Sequence, residues 1–490
     1  MDSSDLYRIA LGIKSYEQPK ENRDRLGKSF AALVRHIESG GNLLYGVDTC
    51  FGPHAFSNQI DREELQRSLI YHLSVTSPGS DYLNHRESRS VLIARTHVLS
   101  LGYSGVSQDL IDLLIEMIDK DCIPKIPARG SLGASGDLIP LSAIGLCIMG
   151  EGVWLGEGDK SKISGIPRSL RPKEAISLTN GTSFMSGLLS YQLETAREYG
   201  NLILETIRLF TMMLPVYKDA FDPALSVCSP SQGLNRVCEY IYPSINARTK
   251  IDGVRIQDSY VIRAIPEILG CYFDNLDQLT SIIDLELNSV SDNPVYNEST
   301  DNFIEGALFY GSRISNAADQ LCLSVVSLSL WLERLIQFIL DPNENEGRLP
   351  LMLSLQPGRY AGLAGVGLLC THLVAEMRRD SNPGSVQSIP TNGGNQNVVP
   401  MGGLSVVRNR RLMGDFRSLI SCYLLTLRQM SFILKKEELF PNAFQSIPST
   451  SKISHLARLL EISPILSDKS LGSEIGLIDG WLQEGVFFLR

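Results

Sequence analysis

Apolar residues recur at spacings of three and four over seven long stretches: Glu87 to Leu101, Gln108 to Ile118, Gly181 to Leu214, Ser259 to Leu287, Ser312 to Leu340, Gly362 to Met377 and Arg408 to Leu434. That period lays one face of a helix against a core. Rich in Leu, Ala, Met and Ile, the stretches predict a mainly α chain. Several run beyond about 25 residues and are apolar around most of their circumference. That predicts long central helices buried by neighbours or by other subunits. Between them lie segments dense in turn formers: Gly40 to Pro53, Ile126 to Gly136, Gly150 to Pro172, Ser289 to Tyr310 and Asn382 to Gly403. Within the third, Val153 to Ile166 reads as a small β excursion. With no internal repeat and no linker, the chain divides into a loop-rich N-terminal region, 1–180, and a long-helix bundle with a C-terminal helical region, 181–490. Polar, Gly-rich loops on such a scaffold are where function usually sits.

A length of 490 residues allows more than one core. The net charge of −9 disfavours nucleic acid or an anionic membrane as partner and points to a small-molecule substrate. The nine cysteines are scattered without a CxxC pair or a metal-ligand rhythm, which predicts a reduced compartment and no metal. Met1 to Lys20 lacks the pattern of a signal peptide. The uncharged runs Gly181 to Leu193 and Leu321 to Leu332 fall short of the ~18 residues that span a bilayer. A cytoplasmic enzyme is expected.

The candidate chemistry lies at Gly130 to Ser142, GSLGASGDLIPLS. Gly133, Ala134, Ser135 and Gly136 are consecutive small residues, so the backbone can fold on itself, and Asp137 is placed to cap the helix that follows. An isolated Ala-Ser-Gly is a loop and a cap. The whole segment, however, resembles the cofactor-forming signature of the histidine, phenylalanine and tyrosine ammonia-lyase family. The resemblance implies that the Gly136 nitrogen attacks the Ala134 carbonyl and that Ser135 becomes a methylidene, giving a 4-methylideneimidazol-5-one with no metal or diffusible cofactor. Expelling ammonia calls for an electrophile, and proteins have few. Helix N-termini aimed at the ring would enhance it.

The resemblance runs from about Leu44 to Met401 and implies the fumarase/aspartase-like helical fold. YGVDTCFG, Tyr45 to Gly52, is similar to an inner loop whose tyrosine is the base; since a phenol near pKa ~10 is a poor base, an electropositive site is expected to lower Tyr45. NGT at Asn180 to Thr182 resembles the asparagine motif that touches ring or substrate. QDSYVIR, Gln257 to Arg263, implies Tyr260 as a second catalytic tyrosine and Arg263 as the clamp on the substrate carboxylate, which its planar fork suits. Glu286 to Pro294 and Ser385 to Gly402 also resemble family segments; Asn392, Asn395 and Gln396 are the polar candidates there, and Gly52 and Leu138 stand at family positions bordering the substrate. In LQRSLIYHL, Leu65 to Leu73, the resemblance places ring selectivity at His72 and Leu73, the His-Leu pair of bacterial tyrosine lyases. An imidazole can bond a phenol hydroxyl that an apolar pocket leaves unpaired. Asn397 stands where histidine lyases have glutamate.

Cys50, Val261, Leu308, Cys228 to Gln232, Glu267 and Pro400 depart from the family pattern in segments expected near the site. Tyrosine to 4-coumarate is the first reading and a tyrosine 2,3-aminomutase giving β-tyrosine the second. From a different class, the chain could be a catalytically silent homologue that binds an aromatic ligand. The family also implies a homotetramer whose sites are shared between subunits.

Overall fold

The computed structural model describes residues 1–40, 43–56, 61–79, 81–156, 163–249, 255–442 and 456–487. Its helices are α1 (Ser3–Ala10), α2 (Lys20–Ser39), α3 (Arg62–Leu73), α4 (His85–Ser100), α5 (Gln108–Asp119), α6 (Leu138–Ile148), α7 (Glu174–Thr179), α8 (Ser183–Met213), α9 (Gln232–Ile241), α10 (Tyr260–Arg263), α11 (Ile265–Leu287), α12 (Ser312–Leu340), α13 (Ala364–Arg379), α14 (Gly402–Leu434), α15 (Leu439–Asn442) and α16 (Gly472–Glu484). Among the described residues, strand is confined to two antiparallel pairs, β1 (Ile123–Pro124) with β2 (Trp154–Leu155) and β3 (Val295–Asn297) with β4 (Asn302–Ile304). The chain is mainly α, as its periodicity requires.

Three of the expected elements depart by more than a residue or two at an end. The stretch Ser259 to Leu287 is two helices, α10 and α11, parted at Ala264. Pro266 is the cause: it has no N–H to give, and it biases the residue before it away from helical geometry, so it suits the first turn of a new helix rather than the middle of an old one. The last long helix begins six residues earlier than expected, at Gly402. The β excursion reduces to β2, and residues 157–162 of it lie outside the described residues.

The chain forms two compact units, each visited more than once. Unit 1 is Met1–Glu194, Leu279–Gln320 and Pro383–Asn409; unit 2 is Thr195–Gln278, Leu321–Asn382 and Arg410–Arg490. Position 180 therefore falls inside unit 1; four of the divisions fall within the long helices α8, α11, α12 and α14, and the one at Asn382–Pro383 falls in the loop between α13 and α14. In unit 1, α3 packs on α6 and α7, and α4 packs on α1 and α5. Asp61 caps α3 through the Glu63 and Glu64 amides, and Asn84 with Glu87 closes a capping box on α4. Among the described residues α12 alone is long and apolar enough to cross a membrane, and 72% of its most apolar window is buried in the protein, as in a core helix.

Candidate active site

Unit 1 contains the strongest constellation. The N-termini of four helices meet around Gly133–Gly136. Leu138 begins α6 directly after the tripeptide. The start of α8 reaches it through the Asp137 amide, which donates to the Gly181 carbonyl at 2.8 Å, and through the Met185 amide, which donates to Asp137 Oδ2 at 3.1 Å. The residue before α12, Gly311, donates to the Gly133 carbonyl at 3.0 Å. A Cβ on Gly133 would stand 3.4 Å from the nitrogen of Gly402, the first residue of α14. The positive ends of four helix dipoles thus converge on one short loop.

Asp137 does not cap α6 as expected. Its side chain makes no bond to the first turn of that helix; it accepts from the Ser131 hydroxyl at 2.5 Å and from Met185, so it caps α8 instead. Wholly buried, its carboxyl is pushed up to about 7 by desolvation, against the pull of Ser131, the α8 amides and the Arg95 charge.

Backbone geometry at the tripeptide is tightly set. Gly136 has φ +72°, and a Cβ there would overlap the Gly181 amide. Asn180 Nδ2 donates to the Ser135 carbonyl at 2.7 Å, and Gln396 Nε2 donates to Ser135 Oγ at 2.8 Å. The Oδ1 of Asn180, whose residue is 5% exposed, has no partner among the described residues.

A cavity of about 1050 Å³ opens over this loop. Its wall includes Ala134, Ser135, Gly136 and Leu138; Tyr45 and Gly52 of the inner loop; His72 and Leu73 of α3; Asn180; and Asn392, Asn395, Gln396 and Asn397. Those are all the expected site residues that belong to unit 1. Tyr260 and Arg263 belong to unit 2 and line a cavity of about 460 Å³ there. In it Arg263 stacks 4.2 Å from the Tyr260 ring centroid and donates to Gln257 Oε1 at 2.6 Å.

Tyr45 differs from expectation. Burial raises its phenol, the neighbouring Cys50 and Glu305 add to the rise, and only the Gly52 amide, which donates to the Tyr45 hydroxyl at 2.9 Å, opposes them. No lysine or arginine lines the cavity among the described residues, so the electropositive wall that would lower this phenol is not supplied by unit 1. The loop itself is well held: buried Gln66 donates to the Gly46 carbonyl at 3.1 Å and accepts from the Ala175 amide at 3.1 Å.

At the other expected pole, His72 Nδ1 lies 3.1 Å from the Ser68 carbonyl. A carbonyl only accepts, so Nδ1 carries the proton, and in the neutral ring Nε2 is left as an acceptor.

Leu308 is 56% exposed and does not line the cavity, whereas its neighbours Phe309 and Tyr310 do. Cys50 does line it. Sequence reasoning passed over Glu305, Asn293 and His54, which also form the wall. Glu305 opens the EGALFYG segment and could have been found as an acid where that segment is otherwise small and apolar.

The family model described as aromatic amino acid lyase matches residues 1–449. A probable histidine ammonia-lyase from Thermoplasma acidophilum is 32% identical over 443 residues, covering 87% of this chain and 88% of that protein. The tyrosine 2,3-aminomutase of Chondromyces crocatus is 32% identical over 432 residues, covering 81% and 80%. Among solved structures, the tyrosine aminomutase from Streptomyces globisporus matches with a TM-score of 0.89 at 27% identity, over 99% of this chain and 96% of that one.

Proposed function

The chain belongs to the aromatic amino acid lyase family, and we propose that it removes ammonia from an aromatic L-amino acid, tyrosine first, through a 4-methylideneimidazol-5-one closed from Ala134, Ser135 and Gly136. The fold is the helical fumarase-like one of its structural neighbours, and its relatives are carbon–nitrogen lyases and aminomutases. The observation that carries the proposal is the convergence of four helix N-termini on a tripeptide whose central carbonyl takes the Asn180 side chain.

The residues present fit such a group. Closure joins the Gly136 nitrogen to the Ala134 carbonyl carbon with loss of one water, and the Ser135 hydroxyl leaves as the second. A side chain at 136 would collide with Gly181, so glycine there lets the two atoms approach. Asn180 Nδ2 and the helix N-termini stand ready to hold the ring oxygen's growing negative charge. When formed, the group supplies an electrophilic carbon that no protein side chain offers.

The rest of the reaction falls to this chain's own side chains. Tyr45 is assigned the substrate β-proton, with the Gly52 amide stabilising its phenolate. Tyr260 and Arg263 are assigned to the cavity of another copy in a cytoplasmic homotetramer, where Arg263 holds the substrate carboxylate and brings the positive charge that Tyr45 lacks in unit 1. His72 Nε2, left as an acceptor by the Ser68 bond, receives the phenol hydroxyl of tyrosine, while Leu73 and Leu138 border the ring. Gly52 sits against Asn392, to whose Nδ2 a Cβ on it would come within 3.0 Å, and that closes the inner loop over the substrate.

The intact protein is expected to weigh two waters less than its sequence, and tyrosine to yield a product absorbing in the coumarate band. A full-mass chain, or turnover of histidine alone, overturns the reading. The aminomutase is the second reading, supported by the likeness to two tyrosine aminomutases; chiral analysis for β-tyrosine separates the two. For His72→Phe, the preference for tyrosine over phenylalanine is expected to fall by about 10²-fold, read from the two kcat/KM values, because the phenol then meets no acceptor. An unchanged ratio would remove His72 from the specificity argument.

A further inference from the structure

Among the described residues that wall the unit 1 cavity, Glu305 is the only carboxylate, and no lysine or arginine accompanies it. The two imidazoles, His54 and His72, are the remaining titratable nitrogens there. A carboxylate beside a buried phenol, with no cation in the same wall, is an electrostatic asymmetry that a ligand can answer.

The backbone on both sides of Glu305 is held. It follows β4, whose Phe303 is buried and in ring contact with Tyr296 of β3 at 5.9 Å. After it, the Gly306 amide donates to Asn293 Oδ1 at 2.7 Å. Asn293 in turn follows Asp292, which is wholly buried and paired with Lys173 Nζ at 3.1 Å. Glu305 has no ion-pair or hydrogen-bond partner among the described residues. It is close enough to Tyr45 for its charge to push that phenol up. On the same cavity wall the unpaired Asn180 Oδ1 offers a second acceptor. Unit 1 therefore presents acceptors, and one full negative charge, at the Tyr45 side of the cavity.

We propose that Glu305 receives the ammonium group of the substrate and holds the ammonium released by elimination beside Tyr45. This deepens the proposed amino acid reaction and rests on it. An amino acid carries two charges, and this wall complements only the positive one; the carboxylate must find its cation elsewhere. A retained ammonium is also what readdition needs, so Glu305 favours the aminomutase branch of that reaction. No bond is made or broken by Glu305: the ammonium leaves with the proton count it acquires in the elimination and is held as an ion pair.

The test separates the amine from the rest of the ligand. Binding of tyramine, which has the ring and the amine but no carboxylate, and of 3-(4-hydroxyphenyl)propionate, which has the ring and the carboxylate but no amine, is measured by calorimetry on the full-length wild-type protein, Glu305→Gln and Glu305→Asp. Glu305→Gln is expected to bind tyramine about five- to tenfold more weakly and the propionate as well as or better than wild type, with Glu305→Asp recovering part of the tyramine affinity. Equal tyramine affinity in wild type and Glu305→Gln overturns the proposal. So does a parallel loss for both ligands, which would mean that Glu305 meets the ring or merely supports the wall. Binding is read without turnover, so a wild-type protein at full mass defeats the cofactor reading and leaves this measurement to decide Glu305 by itself.

Discussion

Gly136→Ala is expected to leave the whole population of chains at full, unmodified mass, to abolish turnover to at least about 10³-fold below wild type, and to lower stability by about 3–5 kcal/mol. The residue sits at φ +72°, a conformation that costs an L-residue about 1–2 kcal/mol. The new methyl would also overlap the Gly181 nitrogen and approach the Gly181 oxygen to 2.5 Å. Those atoms are backbone, so relief requires moving the Asn180–Thr182 segment. That movement breaks the bond from the Asp137 amide to the Gly181 carbonyl and draws Asn180 away from Ser135. Closure and fold therefore fail for the same steric reason. Gly414→Ala is the control: it lies inside α14 with nothing within 4 Å of its Cβ position, and it is expected to keep the mass deficit and melt no lower than wild type. Intact mass and a thermal melt of the two variants check both expectations. A Gly136→Ala chain that has still lost two waters would refute the placement of closure at this loop.

Much of this site was legible from the chain because its residues are local in sequence. Gly133 to Gly136, Tyr45 to Gly52 and Asn180 to Thr182 are contiguous runs of residue types whose backbone freedom or donor chemistry is unusual, and the structure brings all three to one cavity. Helical periodicity likewise located the long helices, since the period depends only on which residues face inward. It did not show the break at Ala264, because apolar spacing continues across Pro266 while the hydrogen bonding cannot. Nor did periodicity reveal that the chain returns to unit 1 at Leu279 or leaves it again after Asn409, for a helix that runs on through α11 or α14 carries no local sign of a change of unit. The partner of Asp137 was misread for a related reason: its position before α6 suggests a cap, whereas the choice between α6 and α8 depends on a contact 48 residues away. The direction of the Tyr45 shift was hidden because it is set mainly by burial of the phenol, which only the folded cavity creates.

Arg95→Met is expected to cost about 3–5 kcal/mol and, in the fraction that still folds, to leave most chains at full mass. Arg95 is wholly buried, and desolvation brings its guanidinium down to about 10, so it remains a cation at neutral pH. Its Nε donates to the Ser177 carbonyl at 2.7 Å, Nη1 to the Ser291 carbonyl at 3.0 Å and Nη2 to the Asn180 carbonyl at 3.3 Å; Nη2 also bonds Ser177. One side chain thus fixes the end of α7, the segment before β3 and the residue whose amide grips Ser135. It also explains Gly181, because a Cβ there would fall on Arg95 Nη1. Methionine fills the stem's volume but donates nothing, so three buried carbonyls lose their partner. Asp137 loses the positive charge that opposes its desolvation, and its carboxyl moves further up from about 7. Arg95→Lys separates charge from geometry. An ammonium keeps the charge but cannot span three carbonyls in the plane of a guanidinium, so this variant is expected to regain part of the melting temperature while closing more slowly than wild type. Following intact mass with time after refolding, beside thermal melts of the three proteins, reads the two effects apart. Full and equally fast loss of two waters in Arg95→Met would show that the Asn180 segment holds its place without Arg95, and the link from this buried cation to Ser135 would fall.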